Sequence, residues 1–508
     1  MRFDFQSNSF TDLSVHPEKL ALAGSERDLS WSMLQVEAEK LAATLSALNI
    51  PAGEPVIIYG HKEAHFAISM LACYLSRTTY TPIDKIYPAD RVRRIITITG
   101  AQVLINCTDS PLPEGIDCAV EIAVNGEVLQ RKEYSRKIQR QEFADDYLQY
   151  IMFTSGSTGE PKGVQILRSS VNYFVNWSSN HFGISSDDIF LNQAPFTFDV
   201  SLCDFLNAFS LGATLVLSDA ELTKNQDAFL QRVVKYRCSV WTSTPSFVFI
   251  FLRHPHFNEE QMPHLKRFIF MGEELPSRTC STLHSRFKGC AVLNAYGPTE
   301  ATIVTTLVEI TQEIAASGAS VPIGFPMPGS ELLIDNGDGS SREGELIIVG
   351  PHVSPGYFNR ADLNEKKFYM HNGSRAFRTG DLAYYENGML YFLGRNDDQI
   401  KLHGFRIELD EISAVLCDHL EIDDAVTVPL KRNHEVKKLI SFVKAGGKTP
   451  GTDIRSLVLP MISQRLPYYM IPGEIIVIDD FPYNVSHKID RNKLVEMYMS
   501  GSFSPSQG

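Results

Sequence analysis

The hydrophobic positions of this chain fall into short runs separated by helical patterns. VIIYG at 56–60 is a continuous apolar run, and the apolar positions of 65–75 behind it recur at helical spacing. QVLINC at 102–107, TLVLSD at 214–219, residues 239–242 and RFIFMG at 267–272 are further short runs, several bounded by Gly, Asp or Pro. Apolar strands without alternation, set between helices, predict parallel sheets covered on both faces. No fixed-period repeat is present, which excludes a solenoid. After about residue 320 the texture changes. GELIIVG at 344–350, residues 383–385 and GMLYFL at 388–393 read as strands joined by Asn-Gly and Gly-rich turns, a small barrel or sheet. GRNDD at 394–398 is polar and reads as a linker, and strand and helix alternate again beyond it. The last residues, SGSFSPSQG, read as a disordered tail.

Length and charge narrow the classes. The 508 residues suffice for about three domain-sized units. Hydrophobic residues make up 44% and charged residues 21%, an ordinary globular composition. A formal net charge of −13 argues against wrapping nucleic acid or binding an anionic membrane. The eight cysteines form no C-x-x-C pair and no Cys/His cluster, so neither a zinc site nor a disulfide framework is expected. Their pattern suits a reducing cytosol. The N-terminus shows no basic segment followed by an apolar stretch, and the longest apolar run, 247–252, is too short to span a bilayer. A multidomain cytoplasmic enzyme, monomeric and without membrane insertion, is the expectation.

The strongest local signal is TSGSTGEPKG at 154–163: four hydroxyl side chains, three glycines and a lysine within ten residues. Glycines let backbone N–H groups turn toward an anion, and hydroxyls add donors. The flanks, 147–153 and 164–167, are strand-like. A Walker A loop needs GxxxxGK[ST] running into a helix, whereas here the lysine follows proline and a strand follows the loop. A P-loop kinase or GTPase is therefore disfavoured.

This loop resembles the signature of the adenylate-forming ligases, and the resemblance covers nearly the whole chain. FDVS at 198–201, NAYGPTEATIV at 294–304, GELIIVGPHVSPGY at 344–357, FRTGDL at 377–382, GRNDDQIKLHGFRIELDEI at 394–412 and NVSHKIDR at 484–491 follow in family order. The resemblance implies an α/β fold. A large N-terminal domain, 1–396, would hold two doubly wound α/β subdomains and a small β-barrel or sheet. A small mobile α+β C-terminal domain, 397–508, would follow. It implies two half-reactions: a carboxylate attacks the α-phosphate of ATP, then a thiol displaces AMP. The first step gathers negative charge around phosphorus, so backbone donors, cations and Mg²⁺ matter more than a strong base.

By the same resemblance, Thr154 and Ser155 hold the phosphates, with Gly156, Ser157, Thr158, Gly159 and Lys162 completing the loop. Asn294, Ala295, Gly297, Pro298 and Thr299 line the AMP site, Tyr296 stacks on adenine, and Glu300 is the Mg²⁺ ligand. Asp381 accepts the ribose hydroxyls. Arg395 touches the ribose, and Phe392, Leu393 and Gly394 shape the wall. Lys488 is the catalytic lysine, bridging the substrate carboxylate and the α-phosphate. Its context, Ser486-His487-Lys488, lacks the glycine usual in the family. Asp397 is the hinge, and rotation there would exchange Lys488 for residues 401–408.

Asp199 in FDVS occupies the position that pairs with an α-ammonium in amino-acid-activating members, because a buried carboxylate needs a partner. The transferred pocket is Val200, Cys203, Thr242, Ile269, Met271, Ala295, Ile303 and Val304. It holds no second charge and no large aromatic, which implies a small apolar side chain. YGHKEAH at 59–65, VWTSTPSF at 240–247 and FMGEELP at 270–276 most resemble stand-alone D-alanine–carrier protein ligases. That subgroup usually carries Cys at the Met271 position and Met at the Cys203 position, a swap that roughly preserves volume. SRTTY at 76–80 also lacks a glycine usual in the family. A small amino acid is the expected substrate, and no carrier segment follows 488, so phosphopantetheine on a separate carrier protein would supply the thiol. A stand-alone adenylation enzyme for another small apolar amino acid in natural-product biosynthesis, or an acyl- or aryl-CoA ligase, are the alternatives.

Overall fold

A computed structural model gives the structure of the chain. It describes residues 1–11, 16–51, 53–131, 146–156, 160–318, 320–337, 342–397, 399–402, 404–432, 435–445, 454–483 and 489–501. The expected disordered tail lies almost wholly outside these residues.

Two large sheets carry the N-terminal part. The first has seven strands in the spatial order Lys162–Leu167, Leu148–Thr154, Tyr80–Asp84, Val56–Gly60, Val103–Asn106, Val120–Ile122 and Val128–Arg131. Its middle is parallel and both edges are antiparallel. The second has nine strands, with a parallel centre running from Ala291–Tyr296 through Arg267–Phe270, Val240–Ser243, Ile189–Asn192 and Thr214–Leu217 to Leu20–Ala23. Every residue of Val56–Gly60, Tyr80–Asp84, Thr214–Leu217 and Val240–Ser243 is buried. That is the state expected of parallel strands with helices on both faces. The helix behind the first strand, Ala64–Leu75, is itself buried along nearly its whole length.

A third, antiparallel sheet of five strands centres on the long strand Ser374–Glu386. The C-terminal part contains a hairpin, Gln399–Leu402 and Phe405–Glu408, the helix Leu409–Cys417, and a three-stranded sheet closed by the helices Ile454–Arg465 and Arg491–Met499. The class is thus mixed α/β with a large N-terminal and a smaller C-terminal domain, as expected. One reading of the sequence is corrected. GRNDD does not begin as a linker, because the strand Met389–Arg395 includes Gly394 and Arg395, paired with Leu382 and Asp381. Arg395 is drawn into the sheet by its ion pair with Asp381. Among the described residues no helix is long and apolar enough to cross a membrane.

The second sheet explains how a pocket is held rigid. Along Val240–Ser243 successive side chains face opposite ways. Trp241 enters an aromatic cluster with Phe229, Phe251 and Phe257 at ring separations of 5.5, 5.4 and 5.3 Å. Its neighbour Thr242 is buried on the other side. Trp241→Ala should therefore lower stability by about 3–5 kcal/mol, measured as a fall in the guanidinium midpoint.

Candidate active site

The strand Leu148–Thr154 returns antiparallel as Lys162–Leu167, pairing Thr154 with Lys162. TSGSTGEPKG is therefore a hairpin loop, not a strand-to-helix turn. Ser157, Thr158 and Gly159 lie outside the described residues. Ser155 is buried, and its hydroxyl donates to the Arg406 carbonyl at 2.9 Å and accepts from the Glu408 N–H at 3.2 Å. The Gly156 N–H donates to Glu411 Oε2 at 3.1 Å. Lys162 is buried rather than solvated, with Nζ 3.0 Å from Glu408 Oε1. Burial, and then Arg406, lower its pKa. Thr154 Oγ1 is buried without a partner among the described residues.

Glu300 sits in a one-turn 3₁₀ helix, Thr299–Ala301, and is fully buried. It accepts from the Tyr357 hydroxyl at 2.7 Å and from Arg406 at 2.8 Å. Burial alone would raise its pKa, but Arg406 and Lys162 overcome this and hold it down to about 2. Arg91 meets the other oxygen of Glu411 at 2.8 Å, and Gly404 N–H meets Glu273 at 2.5 Å. The hairpin and the helix after it thus dock on the described ends of this loop, with Arg406 on Glu300, Glu408 on Lys162 and Glu411 on the Gly156 amide.

Tyr296, at the end of the strand Ala291–Tyr296, is buried and donates its hydroxyl to Asp381. Burial and this carboxylate push its phenol well above the usual range. Asp381 also pairs with Arg395, which is clamped from its other side by both oxygens of Asp397, each at 2.6 Å. Two glycines are required here. A Cβ on Gly297 would lie 2.7 Å from Val304 Cα and 2.8 Å from the Ile303 carbonyl. Gly380 has φ +78°, and a Cβ there would lie 2.7 Å from Asp397. Phe392 is half-buried and Leu393 exposed.

The residues expected to line the pocket lie together, from the helix Asp199–Leu211 and the ends of the second sheet's strands. Val200, Cys203, Ile269, Met271, Ala295, Ile303 and Val304 belong to one buried cluster, with Thr242 buried on the adjoining strand. A Cβ on Gly272, beside Met271, would lie 3.8 Å from Val200. Thr302 and Ile303 have φ of 53° and 73°, strained values for a β-branched residue and of the kind found at functional sites. Asp199 begins the helix Asp199–Leu211, where the dipole favours a carboxylate. Its Oδ2 is buried with no partner among the described residues. Burial raises its pKa to about 6, against a hydrogen bond from Thr299. Asn294 holds the Pro322 carbonyl at 2.8 Å. The segment 484–488, with Lys488, lies outside the described residues.

Sequence reasoning singled out neither Arg91, Tyr357 and Glu411 nor the buried trio Lys62, Asn192 and Asp204. Asp204 had a signal: it stands four residues after Val200, and so on the same helix face. Arg91 and Glu411 lie 320 residues apart, and no local pattern joins them.

The fold is mixed α/β, with a glycine- and hydroxyl-rich hairpin loop that meets the C-terminal part through buried charges. The chain belongs to the AMP-binding enzyme family, whose model matches residues 10–358. It is 36% identical to a D-alanine–D-alanyl carrier protein ligase of Bacillus licheniformis, over 95% of this chain and 97% of that one. It is 35% identical to the ligase of the same name from Bacillus cytotoxicus, over 94% and 96%. Its fold is similar to a Vibrio cholerae adenylation domain in complex with glycyl-adenosine-5′-phosphate, with TM-score 0.82, 22% identity and coverage of 98% and 96%. It is also similar to a Bacillus subtilis o-succinylbenzoate CoA synthetase, with TM-score 0.81, 22% identity and 98% of each chain covered.

The partly unsatisfied, buried Asp199 carboxyl carries a stability cost. Its folded pKa, about 6, exceeds the ordinary 3.8, so between these values the folded state binds more protons than the unfolded one. Stability must then fall as pH rises through that window. Asp199→Asn should match the unmutated protein near pH 4 and exceed it by roughly 1–3 kcal/mol at pH 8, without substrate. Denaturant melts at both pH values check this.

Proposed function

We propose that this enzyme activates a small amino acid with ATP as its aminoacyl adenylate and passes it to the phosphopantetheine thiol of a separate carrier protein. D-alanine is the first choice. The observation that carries the reading is Asp199, whose Oδ2 is buried without a partner among the described residues, beside the apolar residues Val200, Cys203, Met271 and Ile303. A buried anion without a cation is a site waiting for an ammonium. Acyl-CoA substrates offer none. The names of the Bacillus relatives support the choice of D-alanine.

The roles follow from charge. The amino acid's ammonium pairs with Asp199, and a carboxylate oxygen attacks the α-phosphorus. The bond to the bridging oxygen breaks, and pyrophosphate leaves with that electron pair. Lys488 bridges carboxylate and α-phosphate, offsetting the growing charge. Thr154, Ser155, Gly156, Ser157, Thr158, Gly159 and Lys162 face the phosphates. The orphaned Thr154 hydroxyl and the fully buried Glu300 suit a magnesium nucleotide. Glu300 would hold Mg²⁺, which when bound supplies charge neutralisation on the phosphates. Asn294, Ala295, Tyr296, Gly297, Pro298 and Thr299 frame the adenine. Asp381 and Arg395 take the ribose against Phe392, Leu393 and Gly394. Val200, Cys203, Thr242, Ile269, Met271, Ile303 and Val304 hold the side chain.

Lys162, Glu300 and the Gly156 N–H cannot serve the phosphates and the hairpin at once. The docked hairpin therefore suits the second half-reaction, after pyrophosphate has gone. Rotation about Asp397, between domains 1–396 and 397–508, exchanges the two arrangements. The thiolate then displaces AMP. The acidic chain acts in the cytoplasm, as a monomer.

Amino-acid-dependent pyrophosphate exchange across small D- and L-amino acids tests the reading, and D-alanine should rank first. Asp199→Ala should abolish activation, a loss of roughly 3–5 kcal/mol; a mutant with unchanged affinity for its amino acid would sink the assignment. Lys488→Ala should slow adenylation by about 10²–10³ while ATP still binds, read by exchange rate and nucleotide titration. Met271→Cys should admit bulkier residues, and adding Cys203→Met should restore strong preference for D-alanine, by about 10–200-fold.

A further inference from the structure

The helix that begins with Asp199 carries a second buried carboxylate, Asp204, one turn beyond Val200 on the same face. Its Oδ2 accepts from Asn192 Nδ2 at 3.2 Å, while Oδ1 has no partner among the described residues. The Thr242 hydroxyl stands within hydrogen-bonding reach of this carboxyl and favours its charged form, but the two do not make a well-formed bond, and both atoms are buried. The charge balancing Asp204 comes from another part of the chain. Lys62, in the turn after Val56–Gly60, is buried with its ammonium 3.9 Å over the Phe196 ring and donates to Asn192 Oδ1. Lysine has donors only, so the Asn192 amide orientation is determined: oxygen toward Lys62, nitrogen toward Asp204 and the Ser201 carbonyl at 2.8 Å. Asn192 thus couples a buried ammonium to a buried carboxylate and to the first turn of the Asp199 helix.

We infer that Asp204 and Thr242 form a polar floor to the amino-acid site, positioned by Lys62 through Asn192, that takes a hydrogen-bond donor on the substrate's side chain. The inference rests on the proposed function and sharpens its substrate class to small amino acids that include a hydroxyl-bearing one. A serine hydroxyl would donate to Asp204 Oδ1 and accept from Thr242. A methyl group of similar size would leave two buried polar atoms unsatisfied, which is costly. The rest of the pocket is apolar, so nothing else in it competes for these atoms.

The test is pyrophosphate exchange with alanine, serine and 2-aminobutyrate, in the enantiomer the enzyme prefers, read as the serine to 2-aminobutyrate ratio of kcat/KM. This ratio does not depend on how much enzyme is folded. The unmutated enzyme should favour serine by about tenfold or more. Thr242→Val, nearly isosteric, and Asp204→Asn should each collapse or reverse the ratio. Lys62→Met, which removes only the positioning cation, should shift it the same way, chiefly through KM. A preference for 2-aminobutyrate, or one ratio across all variants, would overturn the inference while leaving amino-acid activation intact. Failure of every amino acid to support exchange would instead overturn the proposed function.

Discussion

The contact between the two parts of the molecule depends on one constraint: a charge taken out of water must meet another. Glu300 is fully buried and satisfied by Arg406, which reaches it from the C-terminal hairpin. Lys162 meets Glu408 and Arg91 meets Glu411 across the same boundary. Breaking one buried pair costs several kcal/mol, because it strands the partner. The two parts of the molecule are therefore held by a few mutually compensating charges, aided by the packing of Phe405 against Phe198 and Tyr469. Such an interface is set by specific pairs rather than by area alone.

Where charges are not paired, the fold tolerates a cost. The Asp199 carboxyl has an oxygen without a partner, and burial raises its pKa. Thr302 and Ile303 hold left-handed backbone against the same pocket. These are expensive arrangements, held in place by the surrounding core, in which Trp241, Phe229 and Phe251 lock the strands beneath. Stability is spent where a ligand can return it.

Much of the fold was legible in the sequence. The continuous apolar runs at 56–60, 214–217, 240–242 and 267–270 became fully or mostly buried parallel strands, because strands covered on both faces have no polar side to show. The hairpin loop at 154–163 was legible because its glycines and its strand-like flanks are local features. GRNDD was misread at its start, since Arg395 looks polar in isolation and is held in a strand by Asp381, fourteen residues earlier.

The sequence by itself determined the class of fold, the order of the motifs and the glycine- and hydroxyl-rich loop at 154–163. All of these are written in neighbouring residues whose periodicity or backbone freedom is a local property. The tertiary structure alone decided which charges compensate which. Nothing near Glu300 names Arg406 as its partner, and nothing near Asp204 names Lys62, because electrostatic pairing depends on distance in space and on exclusion of water. Both arise only when strands remote in sequence are brought side by side.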